Sequence, residues 1–297
     1  MNKQEIETLI KAGKIAKQVV DFAKSIIRPS ISLLEIAEKI EDKILFLNAK
    51  PAFPINLSIN EIAAHSTPLY DDKALAHGLL KVDIGIHIDG LIADTAISID
   101  LQNLEENKNL IKAAEDSLRS ALERTKYHST LREIGEAIEQ TCKSHNTQPI
   151  RNLSGHSIEK YNLHAGLTIP NYDNSQEIPL EEGLYAIEPF TTLVSGAGVV
   201  KEGKPSTIYH LEKKGNARDN FAREVLKFVQ ENYKTLPFCS RWIHKKFGTR
   251  GLLALRQIES AGLLHHYPQL IEKSLSKVAQ AEHTVILTKK EKIVTTS

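Results

Sequence analysis

Residues 83–95, Asp83-Ile84-Gly85-Ile86-His87-Ile88-Asp89-Gly90-Leu91-Ile92-Ala93-Asp94-Thr95, carry a turn signal and an acidic pair in one run. Asp89-Gly90 between alternating apolar residues predicts a β-hairpin whose two turn residues both need φ > 0. The turn sets the register, so that Ile88 faces Leu91, Ile86 faces Ala93 and Gly85 faces Asp94. Side chains two apart share a face, which places Asp83 diagonally opposite Asp94, with Cα atoms roughly 7–8 Å apart. Ile84, Ile86, Ile88, Leu91 and Ala93 fall on the other face, the expected core side. Two carboxylates converging over a glycine, which leaves room above it, repel unless a proton or a cation lies between them. A metal ion answers this most economically. A lone Asp at a strand end is more often structural, but Asp94 sits mid-strand, where β-propensity disfavours it. A partly buried carboxylate there needs hydrogen bonds or a counter-charge.

The chain has 297 residues, 41% hydrophobic and 25% charged, an ordinary globular composition with enough length for one large or two ordinary domains. Its 38 basic and 37 acidic residues give a net charge of +1, which offers no electrostatic footprint for nucleic acid or a lipid surface. Cys142 and Cys239 form no CxxC pattern and are expected as buried free thiols in a reducing cytoplasm. Nowhere do eighteen apolar residues run together, so neither a signal peptide nor a membrane span is expected.

A duplication runs through the sequence. Residues 4–27 have helical apolar spacing closed by Pro29, and a second helix starts at Ser32, where Ser32 and Glu35 suit a capping box. Leu131-x-Glu133-Ile134 repeats Leu33-x-Glu35-Ile36, with Thr130 and Glu133 as the second box, and Leu110-Ile111-Lys112-Ala113 repeats Leu9-Ile10-Lys11-Ala12. Two matches in the same order predict two pseudo-equivalent halves, each of two helices and a sheet, sharing a cleft. Strands are expected over 184–190 and 282–287. Between them, residues 219–233, a piece around Trp242 and 250–263 read as a helical subdomain.

A cleft lined by Asp83, Asp94, His156, Glu188 and Glu282 would supply four carboxylates and one imidazole, a donor set for Mn, Fe, Co or Zn. Four negative charges match two divalent ions about 3.5–4 Å apart. From the bare residues the aspartate pair stands out, whereas the histidine and the glutamates are individually unremarkable.

These residues carry a resemblance. Asp83 to Asp94, Ser154-Gly155-His156, Leu163-His164-Ala165-Gly166, Ala186-Ile187-Glu188-Pro189 and Ala281-Glu282-His283-Thr284 resemble the five signature blocks of the methionine aminopeptidases. Residues 52–68, from Ala52-Phe53-Pro54 to Ala64-His65-Ser66-Thr67-Pro68, are similar to the type II branch. So is the long stretch between the last two acidic blocks, and the short N-terminus resembles the archaeal form. The resemblance implies an α+β pita-bread fold of the M24 family, pseudo-twofold, with residues 1–200 and 270–297 as catalytic domain and 205–268 as a winged-helix-like insertion. It implies two divalent ions (Co, Mn, Fe or Zn): Asp83 on one, His156 on the other, Asp94 and Glu282 bridging, and Glu188 completing the second. His65, His164 and Glu188 would be catalytic, and Phe53, His65, Leu163, His164, Phe190, His210 and Tyr267 would contact substrate. The implied reaction removes N-terminal methionine from nascent proteins with a small second residue, through a hydroxide shared by the two ions.

The same resemblance implies a cytoplasmic, monomeric enzyme, with the ribosome as a further candidate partner. A Pro-specific peptidase of the same fold is one alternative, but its relatives carry a large extra N-terminal domain. A non-catalytic protein of the proliferation-associated type is another, yet such proteins have lost ligands that are all present here. Nucleic-acid binding through Arg241, Lys245, Lys246, Arg250 and Arg256 is the third, set against a simple solvated basic face.

Overall fold

In the computed structural model, which describes residues 1–297, the N-terminal apolar spacing forms α1 (Lys3–Ile26) and α2 (Leu33–Phe46). α1 starts early because Asn2 and Glu5 cap it reciprocally: Glu5 N donates to Asn2 Oδ1 and Asn2 N to Glu5 Oε2, each at 2.9 Å. The expected box at α2 is only half present. Glu35 N donates to Ser32 Oγ at 3.4 Å, while the Glu35 carboxylate turns to Lys39 at 2.6 Å.

Short strands β1 (Lys50–Pro51), β2 (Asn56–Ile59) and β3 (Ile62–Ala64) precede the hairpin of β4 (Leu79–Ile88) and β5 (Leu91–Asp100). Its register is the expected one, with Gly85 opposite Asp94, and Asp89 and Gly90 take φ of 50° and 87°. Ile84, Ile86 and Ala93 are buried against Ala16, Val19, Ile36 and Ile40 of the helix pair. Ile88 reaches the rim of that core, whereas Leu91 packs beside Leu9 and Ile92 in another cluster.

The second half repeats the design. α3 (Glu105–Arg124) and α4 (Leu131–Ser144) form its helix pair, and the Thr130–Glu133 box is complete. β6 (Thr147–Pro149), β7 (Ser154–Ile158), β8 (Thr168–Pro170), β9 (Gly183–Ile187) and β10 (Phe190–Leu193) follow. The strand expected over 184–190 is thus broken at Glu188-Pro189, since proline has no N–H for a ladder.

β11 (Val200–Leu211) then leads out to α5 (Asn220–Asn232), β12 (Phe238–Cys239) and α6 (Ser240–Ser260), and β13 (Leu264–Glu272) returns. α6 is kinked at Gly248, where φ is 63°, so one element carries both apolar patterns near Trp242 and over 250–263. The outlying elements share a core that includes Val225, Leu226, Phe238, Ile243, Leu255 and Ile258. β11 and β13 pair from Val200↔Glu272 to Leu211↔Leu264, with the ladder irregular around Pro205↔Pro268.

β14 (Val278–Gln280), β15 (His283–Leu287) and β16 (Lys292–Val294) complete sheets of order β14-β10-β6 and β16-β15-β9-β7-β8. α3 and α4 cover this half, Leu110, Ile134 and Ile138 clustering with Tyr185, Ile187 and Val285. The β4–β5 and β9–β15 pairs therefore occupy equivalent places under their helix pairs. The halves are joined side by side: Asp94 N donates to Thr284 Oγ1 at 2.7 Å, and Thr95 Oγ1 donates to the Glu282 carbonyl at 2.8 Å. Cys142 and Cys239 are buried and free. No helix is long and apolar enough to cross a membrane.

Candidate metal centre

At the seam between the halves, Asp83 and Asp94 of the hairpin meet His156 of β7, Glu188 just after β9 and Glu282 just before β15, around one cavity of about 330 Å³. One ligand atom each of Asp94, His156 and Glu282 lies within 4.8 Å of the others. His156 Nε2 is 3.4 Å from Glu188 Oε1 and 3.9 Å from Asp94 Oδ2. Its Nδ1 faces the Ser157 carbonyl at 3.4 Å, a group that only accepts, so the ring proton belongs on Nδ1 and the Nε2 lone pair points at the carboxylates.

None of the four carboxylates has a lysine or arginine partner. Asp83 Oδ1, Asp94 Oδ1 and Glu282 Oε1 are buried without any hydrogen bond. Burial pushes the Asp83 carboxyl up to about 7. Burial, and then the neighbouring acids, raise Asp94, Glu188 and Glu282 well above the usual carboxylate range. The cluster must therefore hold protons or cations. Three stranded oxygens, a fourth carboxylate in Glu188 and one correctly oriented imidazole fit divalent metal, whose binding would displace those protons.

Burial also lowers His156 to about 4 and His164 to about 3, and it depresses His65, so all three rings are neutral. The His164 ring stands edge-on to His156 at 4.5 Å. His65 takes a left-handed φ of 59°, and its Nδ1 lies 3.2 Å from the Pro268 carbonyl, which leaves Nε2 as an acceptor. Phe53, Leu163, Phe190 and Tyr267 line the cavity with His65 and His164. His210 packs beside Tyr267 with ring centroids 5.3 Å apart, near enough to His164 to add to the depression of its pKa.

The space above Gly85 is not left for an ion, as the sequence suggested. A Cβ there would lie 2.1 Å from Phe53 Cε1, so the glycine admits the Phe53 ring. Sequence reasoning also passed over Asn56, which pairs with Asp83 across β2 and β4 and lines the cavity. It likewise missed Gln280, whose amide donates to Glu188 Oε2 at 3.4 Å.

A sequence profile of metallopeptidase family M24 matches residues 7–289. The chain belongs to this family. It is 47% identical to the methionine aminopeptidase of Pyrococcus abyssi over 98% of its own length and 99% of the relative's. It is 41% identical to that of Methanocaldococcus jannaschii over the whole of both chains. Among solved structures, a thermophilic Arx1 superposes with a TM-score of 0.85 at 15% identity, covering 99% of this chain and 91% of that one. The methionine aminopeptidase of Rickettsia prowazekii gives 0.71 at 20% identity over 100% and 98%. Both likenesses speak to the pita-bread fold alone.

Proposed function

We infer that this M24 chain is a metallo-aminopeptidase that removes N-terminal methionine, working in the cavity over the Asp83–Asp94–His156–Glu188–Glu282 cluster. The observation that carries the reading is this cluster of buried carboxylates without a lysine or arginine partner at the floor of a partly apolar pocket, in a chain nearly half identical to methionine aminopeptidases. In it, Asp83, Asp94, His156, Glu188 and Glu282 hold two divalent ions from among Co, Mn, Fe and Zn. When bound, the metal supplies Lewis acidity toward the scissile carbonyl and lowers the pKa of water toward neutrality.

Phe53, Leu163, Phe190 and Tyr267 hold the methionine side chain, an apolar fit that leaves the peptide bond over the cluster. The neutral His164 ring donates an N–H to the oxygen that becomes negative on attack. Glu188 takes the proton from the attacking water and delivers it to the departing amine, while Gln280 fixes its other oxygen. His65 Nε2 accepts from the substrate amide N–H and orients it, because Nδ1 is committed to Pro268. His210, beside Tyr267 and near His164, completes the substrate wall. Residues 1–200 and 270–297 are the catalytic body, and 205–268 is an insertion carried on β11 and β13, whose pairing is irregular around Pro205 and Pro268. The buried free thiols suit a reducing cytoplasm, where nascent chains supply the substrate.

Met-Ala-Ser and Ala-Pro-Ser, offered to chelator-treated protein with Mn, Fe, Co or Zn added singly, provide the test. Methionine release that requires metal is expected, with Ala-Pro-Ser left intact. Metal-independent release, or none with any ion, would overturn the reading.

A further inference from the structure

Lys81 lies on β4 two residues before Asp83 and on the same face, and it is 1% exposed. No carboxylate lies within ion-pair distance of it. Its ammonium donates instead to two backbone carbonyls, Asn60 and Val278, both at 2.8 Å. The Asn60 carbonyl also accepts from Val278 N at 3.0 Å. Asn60 is the turn residue between β2 and β3, with φ of 51°, and its own side chain accepts from Leu79 N at 2.9 Å. Three separate segments therefore converge on one ammonium.

Burial pulls the Lys81 amine down to about 7, with Glu61 opposing the shift from beyond ion-pair distance, and an apolar side chain of similar volume would fill this place more simply. Two carbonyl dipoles aimed at a buried cation reproduce the way backbone oxygens coordinate a bound ion. What the arrangement holds is the centre's own frame. β3 runs from the Asn60 turn directly into His65. β14 starts at Val278, and alternate residues onward are Gln280, which donates to Glu188, then Glu282.

We propose that Lys81 is a positioning residue, a tethered amine whose two hydrogen bonds clamp the Asn60 turn and the start of β14 to β4 and thereby fix His65 and Glu282 about the metal centre. The inference rests on the reading of Glu188 and Glu282 as metal-holding residues. It assigns Lys81 no contact with substrate or metal.

Lys81→Ala excises propylammonium, so that compound is the probe, and 1-propanol is its uncharged counterpart. In chelator-treated, metal-free protein, propylammonium should raise the melting midpoint of Lys81→Ala and leave the wild type unmoved, with 1-propanol ineffective on both. In metal-loaded protein, Lys81→Ala should lose about 10–100-fold in kcat on Met-Ala-Ser with little change in KM, the scale of displacing a catalytic group by about 1 Å. Propylammonium should restore part of that loss. If Lys81→Ala fails to fold, Lys81→Met, which keeps the volume and removes the charge, carries the test. A Lys81→Met enzyme with wild-type far-UV dichroism and reduced kcat supports the proposal; one with wild-type kcat overturns it, as does equal rescue by 1-propanol. Failure of the wild type to release methionine with any metal would overturn the functional reading instead, and the metal-free melting series would still judge Lys81.

Discussion

Gly85→Ala tests whether the floor of the pocket is built as described. Gly85 is not among the glycines with positive φ, so its backbone accepts alanine and any effect comes from the added methyl. That methyl would stand 2.1 Å from Phe53 Cε1 and 2.4 Å from Cδ1, whereas ordinary contact begins at 3.4 Å. The ring must then retreat by about 3.4 − 2.1 = 1.3 Å, and it is only 5% exposed, packed with Ala52 and Leu163. Overpacking on this scale costs about 1–3 kcal/mol, or a melting midpoint lower by about 2–5 °C for a chain of this size. The displaced ring also narrows the methionine pocket, so kcat/KM on Met-Ala-Ser should fall about 10–100-fold, with KM carrying much of it. Phe53→Ala removes every clashing atom, so the Gly85→Ala/Phe53→Ala double variant should be more stable than the sum of the single losses, with a coupling of at least about 0.5 kcal/mol. Calorimetric melting and steady-state peptidase assays on the four proteins measure both effects. Unchanged melting and KM in Gly85→Ala, or strict additivity in the cycle, would refute the steric argument.

Asp94→Asn should lower the number of Mn ions bound, because the ligand between the two sites loses its charge; an unchanged calorimetric stoichiometry contradicts that role. His164→Ala should reduce kcat by about 10²–10³-fold with metal content intact, the loss of one donor to the oxyanion; loss of metal would make His164 a ligand. Metal affinity should rise from pH 5 to pH 8, since the raised carboxylates hold protons that metal must displace, with Asp83 at about 7, while His156 at about 4 is already neutral and adds nothing. Titration in two buffers of different ionisation enthalpy should show proton release at pH 6 that shrinks by pH 8, and affinity independent of pH would count against the protonated cluster. Met1 should be retained, because Asn2 extends too far beyond Cβ for the site past the scissile bond. Asn2→Ser keeps a cap for α1 and should lose Met1 in the same host, as intact mass will show.

The hairpin is legible because its turn dipeptide admits one register, and Asp94 is legible because it violates the pattern of its own strand. His156, Glu188 and Glu282 are different. Glu188 and Glu282 stand beside strand ends, where polar residues are ordinary, and His156 is a lone histidine within β7; only the folding of the second half against the first brings them to the aspartates. A missed signal was available: Gln280, Glu282 and Thr284 are spaced by two, and in the structure they reach Glu188, the cluster and the Asp94 backbone in turn. The position above Gly85 was misread for a plain reason. A sequence says that a Cβ is absent, not what occupies its place, and Phe53 arrives there from a segment joined to β4 only by tertiary pairing. His210 is expected at the cavity by resemblance alone, since nothing in its own stretch of sequence marks it, and it packs between the rings of Tyr267 and His265. The duplication itself carries the last step. Each half brings buried carboxylates that its own sheet leaves without a basic partner, and the hydrogen bonds of Thr95 and Thr284 across the seam hold the halves where those carboxylates meet.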